Sequence, residues 1–269
     1  GEGGATYTLT DSTNVERDSA TQFTVSLSAT DKAALNQIIN KDGTSSTSAT
    51  NYNLAAADDW NANATAGDTS DTTGNGISVS NVAIPVITSA TYDANTAALV
   101  VTGTSFLKAS GATNDIVANK FTFTGEGGAT YTLTDTANVE ITSGTAATLI
   151  LSATDKAAVN QIINKNGTAS TSGTTYNINA AEDWAAGADA AVNVVDATGN
   201  GITASNVAVP TITSATYDYN TNALTVTGTG FLKKSGATND IDLSKLILTG
   251  EGGATYVLTT AADVEITSG

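Results

Sequence analysis

The residues of this chain best suited to chemistry are its carboxylates, which fall in recurring groups. Asn239-Asp240-Ile241-Asp242, with Glu251 following, answers Asn114-Asp115 with Glu126, although Val117 stands where the second Asp would be. Asp58-Asp59 before Trp60 answers Glu182-Asp183 before Trp184; Asp68, Asp71 and Asn75 answer Asp189, Asp196 and Asn200 in Gly-containing loops. Such donors suit calcium, which takes about six to eight oxygens and needs neither imidazole nor thiolate. The candidate ligands are Asp115, Glu126, Asp240, Asp242 and Glu251, and Val117 predicts unequal affinity between the copies. None of these groups reproduces the Asp-x-Asp-x-Asp-Gly loop of an EF-hand or the glycine-rich nonapeptides of calcium β-rolls. The same side chains also suit solvated acidic turns, where Asp and Asn accept hydrogen bonds from nearby backbone N–H groups.

Other chemistries are narrowed by what the composition lacks. The 269 residues include no Cys, His or Met, which removes disulfides, imidazole or thiolate metal sites and any mechanism using a His or Cys base. Paired acids could serve glycoside hydrolysis, but every candidate is duplicated and no pocket-forming aromatic cluster accompanies it, so the expectation is a protein that is not an enzyme. The paired aromatics Tyr92/Tyr217, Tyr131/Tyr256, Phe106/Phe231 and Trp60/Trp184 fit core packing better than sugar stacking, with a junction contact open to the Trp pair. Lys120 and Lys245 precede strands and would form an isopeptide crosslink only if buried and uncharged. Asn63-Ala64-Thr65 and Asn166-Gly167-Thr168 match glycosylation sequons by pattern. A net charge of −16, from 26 acids and 10 bases, opposes nucleic acid and anionic lipid as partners. No apolar run approaches the ~20 residues of a membrane span, and no basic-then-apolar leader opens the sequence. The start at Gly1 rather than Met reads as a processed or excised piece.

What must position these residues is one module, repeated. Gly1–Thr10 and Gly125–Thr134 are the same ten letters, GEGGATYTLT, and Gly250–Thr259 differs from them at one position. Ile87–Ile116 and Ile212–Ile241 agree at 25 of 30 positions. A period near 125 residues is a whole domain, far longer than a solenoid repeat of about 20–50. Pro85 and Pro210, the only prolines, cannot donate to a ladder and are taken as boundaries. The chain then holds the C-terminal part of one module (1–84), a complete module (85–209) and the N-terminal part of another (210–269). A phase starting at Gly1, Gly125 and Gly250 is the alternative.

Within a repeat the patterning is mostly β. Val86–Tyr92 and Ala98–Gly103 flank Asp93-Ala94-Asn95-Thr96 as a hairpin with an Asx-type turn. Lys120–Thr124, Ala129–Leu133 and Asn138–Ile141 alternate with period two, and Thr148–Leu151 and Gly201–Val209 complete roughly seven strands. Ser152–Gly167 departs from this: an acid three residues after Ser152, a stripe at Val159, Ile162 and Ile163, and a terminal Gly predict a short amphipathic helix. The first copy repeats it with Leu35, Ile38, Ile39 and Gly43. The helix is read as a lid on the core, a partner-binding helix being the other reading. The fold class expected is all-β, as tandem immunoglobulin-like β-sandwiches each with one inserted helix.

Pro210–Asp218 with Ala223-Leu-Thr-Val-Thr-Gly228-Thr-Gly-Phe231, and Val86–Phe106 in the preceding copy, resemble the opening of IPT/TIG-type immunoglobulin-like domains over about 20 residues per module. More broadly, acidic, Cys-free, Thr/Asn/Gly-rich repeats of this length resemble the tandem arrays of giant bacterial surface proteins and adhesins. That resemblance implies a cell-surface, extracellular location and often calcium. The function expected is a stalk or filament whose partner is itself, module to module or subunit to subunit, since identical head-to-tail contacts that do not close give an open fibre. An adhesin segment, with loops near Trp60 and Trp184 meeting a glycan or protein receptor, is the alternative. The end pieces could complement each other by strand addition between subunits, or reflect excision from a longer array; both remain open.

Overall fold

The computed structural model describes residues 1–64 and 67–266. Thr65 of the first sequon and Ser268, near the end of the duplicated stretch, lie outside the described residues. The chain is mostly β, with several sheets and two α-helices, α1 (Ala29–Ile38) and α2 (Ala153–Ile162). Pro85 and Pro210 each stand one residue ahead of a long strand, where a missing N–H is tolerated.

Between the prolines two sheets share one core. The strands are β1 (Val86–Asp93), β2 (Ala98–Thr104), β3 (Phe121–Thr124), β4 (Thr130–Thr132), β5 (Ile141–Ser143), β6 (Ala146–Ile150), β7 (Asn177–Ala180) and β8 (Ile202–Ser205). One sheet runs β5-β6-β2-β1-β8 with β1 and β8 parallel, and the other β4-β3-β7. Ile87, Tyr92, Leu99 and Leu149 from the first meet Phe121, Phe123 and Ile178 from the second, and Tyr92 packs edge-on against Phe123 at 5.6 Å. Val159, Ile162 and Ile163 close the same cluster from α2, so the helix is part of the core.

Local chemistry explains where the elements begin. Asp93 Oδ1 accepts from Asn95 N (2.9 Å) and Thr96 N (3.0 Å), making the expected Asx turn between β1 and β2. The register shifts between Ile87 and Ser89, so the buried residues run Ile87, Ala90, Tyr92 rather than strictly alternating. That shift brings Val86 O so close to Gly103 that a Cβ there would lie 2.0 Å from it. Ser152 Oγ caps α2 by accepting from Asp155 N at 3.0 Å. Two details differ from the sequence expectation. β7, Asn-Ile-Asn-Ala, is an additional strand, its short pattern bearing a single large apolar residue. β5 starts at Ile141, while Val139 makes only an isolated bridge to Ile116.

The flanking copies keep only part of this arrangement. Residues 211–229 form the hairpin β9 (Thr211–Asp218) and β10 (Ala223–Thr229), and 247–257 the hairpin β11 (Ile247–Thr249) and β12 (Thr255–Val257). Among the described residues of 1–84, α1 forms, the β segments make isolated bridges, and no strand appears.

Candidate functional site

The GEGG sequence builds a tight turn at Glu126–Gly128, closed by Gly128 N donating to Gly125 O (3.1 Å) and Ala129 N to Glu126 O (2.9 Å). Gly127 (φ +61°) and Gly128 (φ +81°) supply the left-handed backbone this turn needs. The turn points the Glu126 side chain inward, where it is buried. Oε2 accepts from Asn164 Nδ2 (3.0 Å), Thr171 Oγ1 (3.1 Å) and Ser172 N (3.1 Å), all within its own copy. Oε1 accepts from Ser235 N at 3.0 Å, in the next copy.

Around this carboxylate the two copies are stitched by backbone. Asn164 Nδ2 also donates to Lys233 O (3.1 Å), and Lys233 N donates to Gln161 O at the end of α2 (3.2 Å). Asn164 is itself held from the core: its Oδ1 accepts from Thr171 N (3.1 Å) and from the hydroxyl of fully buried Tyr176 (3.3 Å). Gly127 allows the approach, since a Cβ there would lie 2.3 Å from Ser235 Oγ.

The preceding junction repeats this bond for bond. Glu2 accepts from Asn40 Nδ2 (2.9 Å), Thr47 Oγ1 (3.0 Å), Ser48 N (3.1 Å) and, across the junction, Ser110 N (3.1 Å). Asn40 Nδ2 reaches Lys108 O (3.2 Å), and Lys108 N donates to Gln37 O (2.9 Å). A partly exposed Lys41–Asp189 pair at 3.7 Å is peculiar to this junction and adds little. Burial raises the Glu126 pKa, but its hydrogen-bond donors outweigh that and hold the carboxyl down at about 2; the same balance lowers Glu2.

The acids singled out as calcium ligands are placed as follows. Asp115 accepts from Ala109 N (2.6 Å) and Ile141 N (2.9 Å), fixing the loop that carries Lys108 and Ser110 toward Glu2. Asp240 does the same with Lys234 N (2.7 Å) and Ile266 N (3.0 Å), presenting Lys233 and Ser235 to Glu126. Glu126 and Asp240 thus serve one junction from opposite sides, Glu126 accepting from two peptide N–H groups and two side chains and Asp240 from two peptide N–H groups. Asp242 caps the turn at Leu243–Lys245 through Ser244 N (3.0 Å). Glu251 lies exposed in its GEGG turn, and its carboxylate accepts no hydrogen bond among the described residues. Among the described residues no three potential metal-ligating side chains converge on one point. Burial, followed by the Glu140 charge, pushes the Asp115 carboxyl up despite its two backbone donors.

Two structural carboxylates escape sequence reasoning. Asp155, three residues after Ser152, accepts from Tyr131 OH (2.8 Å), Thr134 N (2.9 Å), Thr134 Oγ1 (2.8 Å), Asp135 N (3.3 Å), and the N and Oγ1 of Thr136, binding the loop after β4 to α2. Asp31 makes the equivalent set with Tyr7, Thr10, Asp11 and Ser12. Burial raises both pKa values, but the donors prevail and hold both well below the usual carboxylate range. Their exact repetition was the available signal, but it looked like a helix cap alone.

Trp184 is fully buried, edge-on to Phe106 (5.4 Å) and Phe121 (5.9 Å), and donates to Val194 O (2.7 Å). Trp60 makes the matching bond to Thr69 O (2.9 Å) yet is 50% exposed. Lys120 is partly exposed, 4.0 Å from Asp183, and is not the buried amine an isopeptide bond requires. No family model, curated protein or solved structure matches the chain. No helix among the described residues is long and apolar enough to cross a membrane.

Proposed function

We propose that this chain is a non-enzymatic structural protein in which immunoglobulin-like β-sandwich modules are joined head to tail into an extended stalk or filament on a bacterial surface. One observation carries the reading: the junctions at Glu2 and Glu126 use the same carboxylate, amide and backbone bonds. Equal contacts impose an equal rotation and translation at each step, which is what a regular rod or helix requires. Loops alone would leave neighbouring modules free to swing, whereas a buried carboxylate bonded on both sides selects one orientation. Exposed Thr-rich strands and a net charge of −16 would disfavour lateral aggregation. The IPT/TIG-like hairpin and the tandem repetition support the surface-protein setting.

The absence of Cys from the sequence makes site-specific spin labelling direct. Ser89→Cys with Ser214→Cys places labels at equivalent exposed positions one repeat apart. Pulsed dipolar spectroscopy should return a single narrow distance. A broad distribution would refute the fixed junction and with it the stalk reading.

A further inference from the structure

The chain enters and leaves the middle copy on neighbouring strands. β1 is the first strand of that copy and β8 the last, and they lie side by side and parallel, with Ala90 to Asp93 against Ile202 to Ser205. Parallel neighbours put the point of entry, Val86, and the point of exit, Ser205, at opposite ends of the pair. Tension along the chain therefore slides β1 lengthwise against β8. Hydrogen bonds between parallel strands run across that direction on a slant, so they resist together, whereas strands parted from one end yield a bond at a time.

The bonds joining the first strand to the last segment are spread along all of β1. Ile87 N donates to Asp196 Oδ2 (2.7 Å), Ala90 N to Gly201 O (2.9 Å), Ala94 N to Ser205 O (2.9 Å) and Asn206 Nδ2 to Asp93 Oδ2 (2.8 Å). The first and last of these have carboxylate acceptors, which make the stronger bonds, and they stand at the two ends of the pairing. β8 is fastened on its other side as well, where Ala204 N donates to Gly167 O (2.8 Å) and Gly167 N to Ala204 O (2.9 Å). Ala90, Tyr92, Ile202 and Ala204 are buried, closing one face of the pair to water that would compete for its bonds. The clip residues recur one repeat away: Asp71, Asn81 and Asp218 match Asp196, Asn206 and Asp93.

We infer that this module bears mechanical load: the β1–β8 pair, clipped by Asp196 at one end and by Asp93 with Asn206 at the other, is a shear clamp that carries tension along the chain. The path from Val86 to Ser205 crosses only β1 and β8, so the remaining strands and α2 brace the clamp and are not stretched until it gives way. The inference rests on the stalk reading above for the source of the load, and its test separates the two.

Because the sequence has no Cys, handles for single-molecule pulling can be attached to the full chain at chosen pairs of positions. Ile84→Cys with Val209→Cys, both at exposed residues, loads the clamp lengthwise. Asn95→Cys with Val209→Cys pulls on the adjacent C-terminal ends of β1 and β8 and opens the same bonds in succession; Asn95 is exposed too. Forced unfolding is governed by the unfolding barrier and not by equilibrium stability, so the two geometries can differ in one and the same module. At equal loading rate the 84–209 pair should rupture at a severalfold higher force, each event freeing about 125 residues at ~3.6 Å apiece. Asp196→Ala removes the clip farthest from Asn95. It should lower the 84–209 force and leave the 95–209 force unchanged, whereas a general loss of stability would lower both. Equal rupture forces in the two geometries overturn the inference, as does an Asp196→Ala chain that keeps the full 84–209 force. Equal forces together with a narrow Ser89–Ser214 interlabel distance would leave the stalk reading standing while the clamp falls.

Discussion

Replacing Glu126 by Gln tests the junction most directly, because it changes one oxygen of a carboxylate that serves four donors. Hydrogen bonds to a charged group contribute about 1.5–3 kcal/mol each when taken singly. They share one anion, so they do not add, and the amide still accepts at one end while its NH2 opposes donors at the other. The expected loss is about 2–4 kcal/mol. The depressed pKa points to a similar size: a carboxyl held at about 2 rather than 4.5 corresponds to roughly 3 kcal/mol at about 1.4 per unit. Because the folded pKa is depressed, that stability is present in full above the ordinary Glu value and is lost as pH falls from about 4.5 toward 2. Near-ultraviolet circular dichroism of buried Trp184 follows the middle module. At pH 7 its melting midpoint should fall by roughly 10 °C, and the difference from the wild type should shrink across the acid window. The Ser89–Ser214 interlabel distribution should broaden in step. A Glu126→Gln chain with wild-type midpoint, pH profile and narrow distance would refute the carboxylate as the element that fixes one module to the next.

Gly127 and Gly128 separate crowding at the junction from backbone strain. Both have positive φ, but a Cβ on Gly127 meets Ser235 while one on Gly128 meets open space. Gly127→Ala should broaden the interlabel distance, and Gly128→Ala should leave it narrow with a stability loss of about 1 kcal/mol measured by urea unfolding. Asp155→Asn sets an NH2 among six donors and should cost about 3 kcal/mol in the same assay, lowering Trp184-detected stability without altering the junction distance. Glu140→Gln should have the opposite sign. The raised Asp115 pKa means its charged form is disfavoured when folded, a penalty absent at low pH that grows as pH rises through that value. Removing the Glu140 charge should therefore stabilise the chain by about 1 kcal/mol at pH 7, with the gain fading below about pH 4, seen in melting curves at the two pH values.

How far the fold was legible depends on how far apart the bonding partners lie in the chain. The repeat, the Asx-turned hairpins and the capped helix could be read directly, because Asp93 bonds two and three residues ahead and Ser152 bonds Asp155. These elements recur wherever their letters recur: α1 and α2 both span ten residues, and β9–β10 forms as β1–β2 does. The role of Glu126 could not be read. Its repeated carboxylate is compatible with a cation or with N–H donors until Ser172, 46 residues on, and Ser235, 109 residues on, are brought to it. Strand formation in the first copy was equally illegible. Gln22–Ser26 and Ile77–Ser80 carry the same kind of pattern as β6 and β8 but form no strands, and Trp60 lies exposed where Trp184 is buried. A helix closes its hydrogen bonds within its own sequence, whereas these strands draw theirs, and their apolar cover, from a segment of the 85–124 kind that the first copy does not have beside it.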